Sequence, residues 1–150
     1  MRVEKDFKEL LELFNRHRVR YLIIGAFAVA FHGRPRYTKD MDILVEPSQA
    51  NAEKIVRVLE RFGFKSLSLQ AADFTKRKNV IQLGYEPVRV DLITEITGFH
   101  FDKLWRNRRK GEYGDIRVNF VGFEDLIKMK RQAKREYDLW DLNFLLRMKR

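Results

Sequence analysis

Two short apolar runs constrain the fold of this chain more than any other feature. The first is "RYLIIG" (20–25), and the second follows two aspartates in "DMDILVE" (40–46). A short, continuously apolar run such as the first is typical of a strand buried inside a sheet. The segment between the two runs, "AFAVAFHG", predicts a short helix that Gly33 and Pro35 end. The N-terminal part of the chain therefore predicts strand, helix and strand in that order.

The rest of the chain carries the patterns of further helices and strands. Helices are predicted over about residues 4–16, from the cap Ser48 to about Phe62, near 101–107 and from about Glu124 onward. Strands are predicted weakly in "FKSLSL" (64–69), as a hairpin of "NVIQLGY" and "VRVDLIT" across Glu86-Pro87, and near 115–121. This order predicts an α/β or α+β fold, with a mixed β-sheet flanked by helices and a helical C-terminus. A length of 150 residues fits a single domain over residues 1–150.

Composition narrows the class of protein. The formal net charge is +10, which favours anionic partners such as nucleotides, nucleic acid or acidic protein surfaces. Without cysteine, the chain has neither disulfides, nor thiolate metal sites, nor a cysteine nucleophile. No apolar stretch approaches the ~18–20 residues of a membrane span, and the first residues lack the pattern of a secretory signal. A cytoplasmic protein is the expected class.

Three aspartates are the candidate catalytic residues. Asp40 and Asp42 are predicted to project from the same face of the second strand, because side chains alternate along a strand. Asp91 lies within the apolar strand "VRVDLIT". If the two strands are neighbours, three carboxylates converge, and Mg²⁺ is the oxygen-preferring cation that would relieve their repulsion. An isolated Asp-x-Asp pair is more often a strand end that caps backbone or pairs with lysine.

Gly25 is the candidate phosphate-binding residue. It stands where the first apolar strand turns into a helix, and glycine lets a phosphate approach the backbone there. One strand-glycine-helix turn is weak evidence, because such turns are also frequent packing features. The combination with the Asp-x-Asp pair and a later strand aspartate is more specific.

These residues resemble the DNA polymerase beta-like nucleotidyltransferase superfamily. Within it, "GAFAVAFHGRPRYTKDMDILV" is similar to a subgroup of minimal bacterial and archaeal nucleotidyltransferases, which includes abortive-infection (AbiEii-type) relatives and resembles the small antibiotic nucleotidyltransferases. The resemblance implies that Gly25 and the amide of Ala26 hold the triphosphate. It further implies that Asp40 and Asp42 bind two Mg²⁺ ions, and that Asp91 shares the catalytic metal and helps deprotonate the attacking hydroxyl. Ala26 departs from the Gly or Ser of the family pattern and supplies no hydroxyl to a phosphate.

Each of the residues near the aspartates can have either a functional or a structural role. Arg36 can clamp a phosphate bidentately or neutralise Asp40 or Asp42, and with Thr38 it is a candidate nucleotide-binding residue. Thr38 can instead order the turn by bonding backbone. His32 lies on an apolar stripe, where a packing role is more common than a catalytic one.

Two basic segments remain. "KLWRNRRKGEYG" (103–114) can grip single-stranded nucleic acid, although a solvated loop around one core tryptophan is the interpretation that we favour. In the C-terminal segment, Tyr137, Trp140 and Phe144 predict a packed stripe. Asp138 and Asp141 predict a structural face on which Asp138 pairs with Lys134.

The leading functional hypothesis is transfer of a nucleoside monophosphate from a nucleoside triphosphate to an acceptor hydroxyl, with Mg²⁺ or Mn²⁺ as the metal and release of pyrophosphate. The acceptor is open: RNA or tRNA, a protein side chain, or a small molecule. The chain is short, so a homodimer or a partner protein, as in a toxin–antitoxin pair, is possible by family analogy. The alternatives are a non-catalytic module that binds nucleotide or nucleic acid, and a metal-dependent phosphodiesterase or nuclease.

Overall fold

The computed structural model describes residues 4–33, 39–63, 68–85 and 88–148, apart from the side chains of residues 85, 88, 136 and 137. Its strands are β1 (Tyr21–Ile24), β2 (Asp40–Val45), β3 (Val80–Tyr85), β4 (Val88–Ile93), β5 (Arg109–Tyr113) and β6 (Ile116–Phe120). Its helices are α1 (Lys5–Arg16), α2 (Gly25–Phe31), α3 (Gln49–Arg61), α4 (Ala71–Thr75), α5 (Phe101–Arg106), α6 (Phe123–Ala133) and α7 (Glu136–Met148). This architecture confirms the predicted fold class, a mixed sheet flanked by helices with a helical C-terminus.

All six strands form one mixed sheet in the order β3-β4-β2-β1-β6-β5. β1 is antiparallel to β2, whereas β2 is parallel to β4 and β1 is parallel to β6. The predicted hairpin is the antiparallel pair β3–β4. Because β1 and β2 run in opposite directions, the end of β1 and the beginning of β2 lie at the same edge of the sheet.

Helices α1 and α3 pack against each other beside the sheet. In α1 the stripe of Phe7, Leu10, Leu11 and Phe14 is buried, as the helical spacing predicts. The predicted cap of α3 is present, since the Ser48 hydroxyl accepts a hydrogen bond of 3.2 Å from the Asn51 N–H. None of the helices within the described residues is long and apolar enough to cross a membrane.

Two elements were not predicted from sequence, and one prediction fails in part. α4 and the edge strand β5 have no clear apolar period, and only Tyr113 is buried in β5. The pairing of β5 with β6 holds this strand through backbone hydrogen bonds, which sequence periodicity does not report. Segment 103–114 is thus a helix end and a strand, not a loop. Residues 68–69 of the predicted weak strand form no strand, and 64–67 lie outside the described residues.

The predicted stripe on the C-terminal helix is wrong at Trp140, which is 64% exposed. Phe144 is half-buried, and the side chain of Tyr137 lies outside the described residues. Asp138 and Asp141 are both fully buried. The helical segment is divided at Lys134, which has a left-handed backbone with φ 55° and ends α6. Asp138 pairs with Lys130 and Arg135, not with Lys134 as predicted. The inward face of α7 is set by a buried ammonium on α6, which outweighs the preference of an aromatic ring for the interior.

Candidate active site

Asp42 and Asp91 lie at directly opposed positions on neighbouring strands. The parallel pairing of β2 with β4 puts Asp42 opposite Asp91, and Asp40, two residues earlier, shares a face of β2 with Asp42. Burial and, to a smaller extent, the nearby charges of Asp91 and Asp40 together raise the pKa of the Asp42 carboxyl to about 6. The strand adjacency on which the sequence argument depended is therefore present.

A glycine is required at position 25 by the backbone conformation there and by the proximity of Asp42. Its φ of +67° lies in the left-handed region, where a side chain is strained. A Cβ atom added at Gly25 would lie 2.7 Å from Oδ2 of Asp42. Ile24, which precedes Gly25, is the register partner of Asp42. The glycine that the sequence associates with phosphate binding is thus in contact distance of the central aspartate.

A cleft of about 260 Å³ opens beside these residues. Gly25 and Asp42 line one side, and Lys130 of α6, Asp138 of α7 and Arg135 between these helices line the other. Apolar side chains, among them Ile93, Leu126 and Met129, complete the lining. A mostly apolar cleft with a few convergent charged groups is the usual form of a small-molecule site.

Lys130 is the residue that our sequence reasoning missed. Its ammonium lies 2.8 Å from Oδ1 of Asp138 and 3.3 Å from Oδ2 of Asp141. Arg135 donates to Asp138 at 2.6 Å. Burial opposes the ionisation of Asp138, but hydrogen bonds from Arg135 and Lys130 outweigh it and lower the pKa of this carboxyl. The available signal was spacing, because Lys130 falls three and four residues after the buried Ile127 and Leu126.

The Asp91 carboxylate has a partner of its own. Arg89, on the same face of β4, donates to both oxygens of Asp91, through Nε at 3.0 Å and Nη2 at 2.8 Å. Such a bidentate pair is among the stronger charge-assisted arrangements. A ligand that needs the Asp91 oxygens must therefore compete with Arg89.

We tested whether these residues fit the divalent cation that the resemblance implies. Carboxylate oxygens are the ligands that Mg²⁺ prefers, and a cation would relieve both the burial of the Asp42 carboxylate and its repulsion by Asp91 and Asp40, which together raise its pKa. Within the described ranges, no group of three or more His, Asp or Glu side chains stands ready to hold a metal ion. The donor types fit Mg²⁺, and the fit requires the Arg89–Asp91 pair to open.

The remaining predicted residues are placed as follows. Ala26 is half-buried in the first turn of α2, and Arg36 and Thr38 lie outside the described residues. His32 ends α2, and its Nε2–H donates to the carbonyl of Val121 at 2.8 Å. The ring also contacts Phe31 and Phe123, and burial lowers its pKa. This environment agrees with the packing interpretation of His32.

The mixed sheet and its flanking helices are shared with solved structures that include nucleotidyltransferases. A Thermotoga maritima protein assigned to this activity is 15% identical, with a TM-score of 0.62 over 95% of this chain and 91% of that one. The lincosamide antibiotic adenylyltransferase LnuA, bound to lincomycin, is 17% identical, with a TM-score of 0.58 over 95% of each chain. The antibiotic-resistance factor ANT(2'')-Ia is 12% identical, with a TM-score of 0.61 over 93% of this chain and 80% of that one.

The family itself is shown by the sequence. Residues 3–150 match the family model described as nucleotidyl transferase of unknown function (DUF2204), and the chain belongs to that family. No curated protein sequence matches this chain significantly. The resemblance inferred from the motif is thereby confirmed at the level of the superfamily.

Proposed function

We propose that this protein transfers a nucleoside monophosphate from a nucleoside triphosphate to an acceptor hydroxyl. The observation that carries the proposal is the direct opposition of Asp42 and Asp91 across β2 and β4, beside Gly25 at the mouth of a cleft. Membership of a nucleotidyl transferase family supports the general kind of reaction. In the reaction, the acceptor oxygen forms a bond to the α-phosphorus, and the bond from that phosphorus to the departing pyrophosphate breaks.

The three aspartates would have distinct roles in this reaction. Asp40, Asp42 and Asp91 would hold Mg²⁺ or Mn²⁺, which when bound lowers the pKa of the acceptor hydroxyl and neutralises charge on the pyrophosphate. Asp91 would take or share the proton of the acceptor hydroxyl as the new bond forms. Opening of its pair with Arg89 frees the Asp91 oxygens for this role and frees the Arg89 guanidinium for a phosphate oxygen.

Two groups would bind the phosphates of the nucleotide. The amides of Gly25 and Ala26 border Asp42, and the glycine leaves room for a phosphate at the backbone. Lys130, on the facing wall of the cleft, would attract the negative charge of the triphosphate. Arg36 and Thr38 remain candidate nucleotide contacts, on the sequence motif alone.

The direct experiment is transfer of label from an α-labelled nucleoside triphosphate in the presence of Mg²⁺ or Mn²⁺. The acceptors to compare are bulk RNA, tRNA, the protein itself and lincomycin, because a structural neighbour is a lincosamide adenylyltransferase. We expect labelling that Asp42→Asn abolishes and Asp102→Asn, a matched change at an exposed aspartate of α5, leaves unchanged. Labelling that survives Asp42→Asn would refute the proposal, and release of mononucleotides from RNA without labelling would identify a phosphodiesterase.

One observation favours a second candidate, a nucleotide-binding module without turnover. Arg89 occupies both oxygens of Asp91, and Ala26 stands at the second motif position. Under this alternative the Arg89–Asp91 pair stays closed and the nucleotide binds without a metal. Calorimetry separates the two functions, since tight binding in EDTA without labelling of any acceptor would favour the module.

A further inference from the structure

A second, strongly basic groove lies at the opposite end of β1 from the candidate active site. It has a volume of about 440 Å³ and is lined by Arg18, Arg20, Trp105, Lys110 and Arg117, among others. Arg18 and Arg20 precede or adjoin the start of β1, whereas the active-site cleft borders its end. At about 3.3 Å per strand residue, Arg20 and Gly25 lie roughly 16 Å apart. The groove is therefore separate from the nucleotide cleft.

The cations of this groove are largely uncompensated. Arg18, Lys110 and Arg117 are exposed, and no carboxylate of the described residues forms an ion pair with them. Arg20 is paired with Glu46 at 3.1 Å, and its side chain remains 48% exposed. Glu112 faces Arg117 across the β5–β6 pair without an ion pair between them in this part of the structure. The groove thus concentrates part of the +10 net charge of the chain.

Trp105 lines the groove and contacts two guanidinium groups, that of Arg20 in the groove lining and that of Arg108 outside it. The Arg108 guanidinium lies 3.9 Å from the centroid of the Trp105 ring, and Arg20 lies 5.4 Å from it. Arg108 also donates to the Trp105 carbonyl at 2.8 Å. The contact with the Trp105 face helps to hold the Arg20 guanidinium in place, so less side-chain entropy is lost when an anion binds there.

We propose that this groove binds the phosphate backbone of a single-stranded nucleic acid. Guanidinium and ammonium groups match phosphate oxygens. Its volume of about 440 Å³ falls in the range of about 300–1,000 Å³ that holds small ligands, so it has room for a nucleotide-sized unit of a flexible single strand.

An acidic protein is a poorer match for the same cations. Protein interfaces depend on apolar anchors as well as charge, and the Trp105 face that would serve as an anchor is covered by Arg108. Binding here does not require the proposed transfer activity. Where that activity is present, the groove would tether an acceptor strand roughly 16 Å, about the length of β1, from the site of reaction.

The test is fluorescence anisotropy with a short, labelled single-stranded RNA of mixed sequence, at several salt concentrations. The double variant Lys110→Glu/Arg117→Glu should weaken binding by about tenfold or more and lower the salt dependence by about 0.7 per lost phosphate contact. The matched control Arg57→Glu/Lys128→Glu makes the same change in net charge at exposed positions outside both the groove and the cleft lining. It should bind within about twofold of wild type.

Further variants and competitors test the same proposal. Lys110→Gln/Arg117→Gln repeats the test without introducing new negative charge, and circular dichroism checks that each variant is folded. The proposal would be overturned if the wild type did not bind the RNA, if the groove variants bound it as well as the wild type does, or if both charge-reversal variants lost binding equally. It would also be overturned if a polyglutamate peptide or a free nucleoside triphosphate competed as well as the RNA does. Asp42→Asn should bind the RNA normally, so loss of labelling in that variant tests the transfer reaction alone.

Discussion

At the scale of single residues, the central observation is the cost of keeping Asp42 ionised. Burial of its carboxyl and then the charges of Asp91 and Asp40 raise its pKa from 3.8 to about 6. Because the unfolded chain gives up this proton more readily, the free energy of unfolding of the metal-free protein falls as the pH rises from about 3.8 to about 6. A carboxyl buried beside other carboxylates is typical of a site arranged for a cation or for catalysis.

Asp42→Asn should therefore stabilise the metal-free protein while it abolishes transfer. At about 1.4 kcal/mol per pKa unit, the gain at pH 7.5 is up to about 3 kcal/mol. Urea unfolding in EDTA measures it, with Asp102→Asn as the control. A variant that is less stable than wild type at pH 7.5 would contradict the cost of ionising Asp42 in the folded protein.

Arg89→Met should strengthen binding of a divalent cation. Arg89 lies within 2.8 Å of Asp91 in a partly exposed pair, and its removal both frees the oxygens and removes a positive charge. A partly exposed ion pair holds its carboxylate only weakly, so the affinity for Mn²⁺ should rise by no more than about fivefold. Mn²⁺ titration followed by electron paramagnetic resonance tests this, with Arg77→Met, which removes an exposed arginine paired with Glu95, as control. Unchanged or weaker affinity would show that Asp91 does not contact the metal.

At the scale of elements, buried polar contacts determine how the helices meet the sheet. His32 connects the end of α2 to Val121, which follows β6, and Lys130 on α6 connects to Asp138 and Asp141 on α7. Both contacts join segments that are distant in sequence or separated by a turn. The cleft wall opposite Asp42 depends on the second of them.

His32 should make the stability depend on pH below 6.5. Burial lowers its pKa from 6.5, and the charge of Arg109 lowers it further, so the unfolded chain binds the proton more readily. Stability is then full above pH 6.5 and falls as the pH decreases through it. The difference in unfolding free energy between wild type and His32→Phe should shrink from pH 8 to pH 5, with exposed His100→Phe as the control. A constant difference would refute the role of protonation.

Lys130→Met should destabilise the protein strongly, because two fully buried carboxylates lose their shared ammonium. Removal of one member of a buried ionic cluster costs about 3–5 kcal/mol. Thermal unfolding provides the measurement, and Lys128→Met, two residues away on the exposed face of α6, should change stability by less than about 0.5 kcal/mol. Similar stability of the two variants would mean that Lys130 is not required for the packing of α7.

At the scale of the whole molecule, the sheet keeps two charged regions apart. The acidic edge, with Asp40, Asp42 and Asp91, lies at the end of β1, and the basic groove with Arg18 and Arg20 lies at its beginning. Both regions are built on strands of one sheet, so their separation is fixed by the rigid centre of the fold. The positive charge of the chain is thereby available to a partner without cancelling the negative potential of the candidate active site.

Much of the fold followed from local patterns. The apolar run of β1, the cap at Ser48 and the hairpin β3–β4 depend on neighbouring residues, so sequence periodicity was sufficient to predict them. The shared face of Asp40 and Asp42 follows from the alternation of side chains along a strand, and the left-handed turn at Gly25 suits only glycine. In this way the sequence by itself determined the class of fold and the candidate acids.

Tertiary structure alone decided which of these residues meet. The parallel pairing of β2 with β4 joins segments almost fifty residues apart, and it brings Asp91 opposite Asp42. The same is true of Lys130, whose buried ammonium turns Asp138 and Asp141 inward and leaves Trp140 exposed. Sequence periodicity weighs each side chain by its own hydrophobicity. The periodicity does not report a charge that another helix or strand contributes. Such a charge decides where a buried carboxylate is stable.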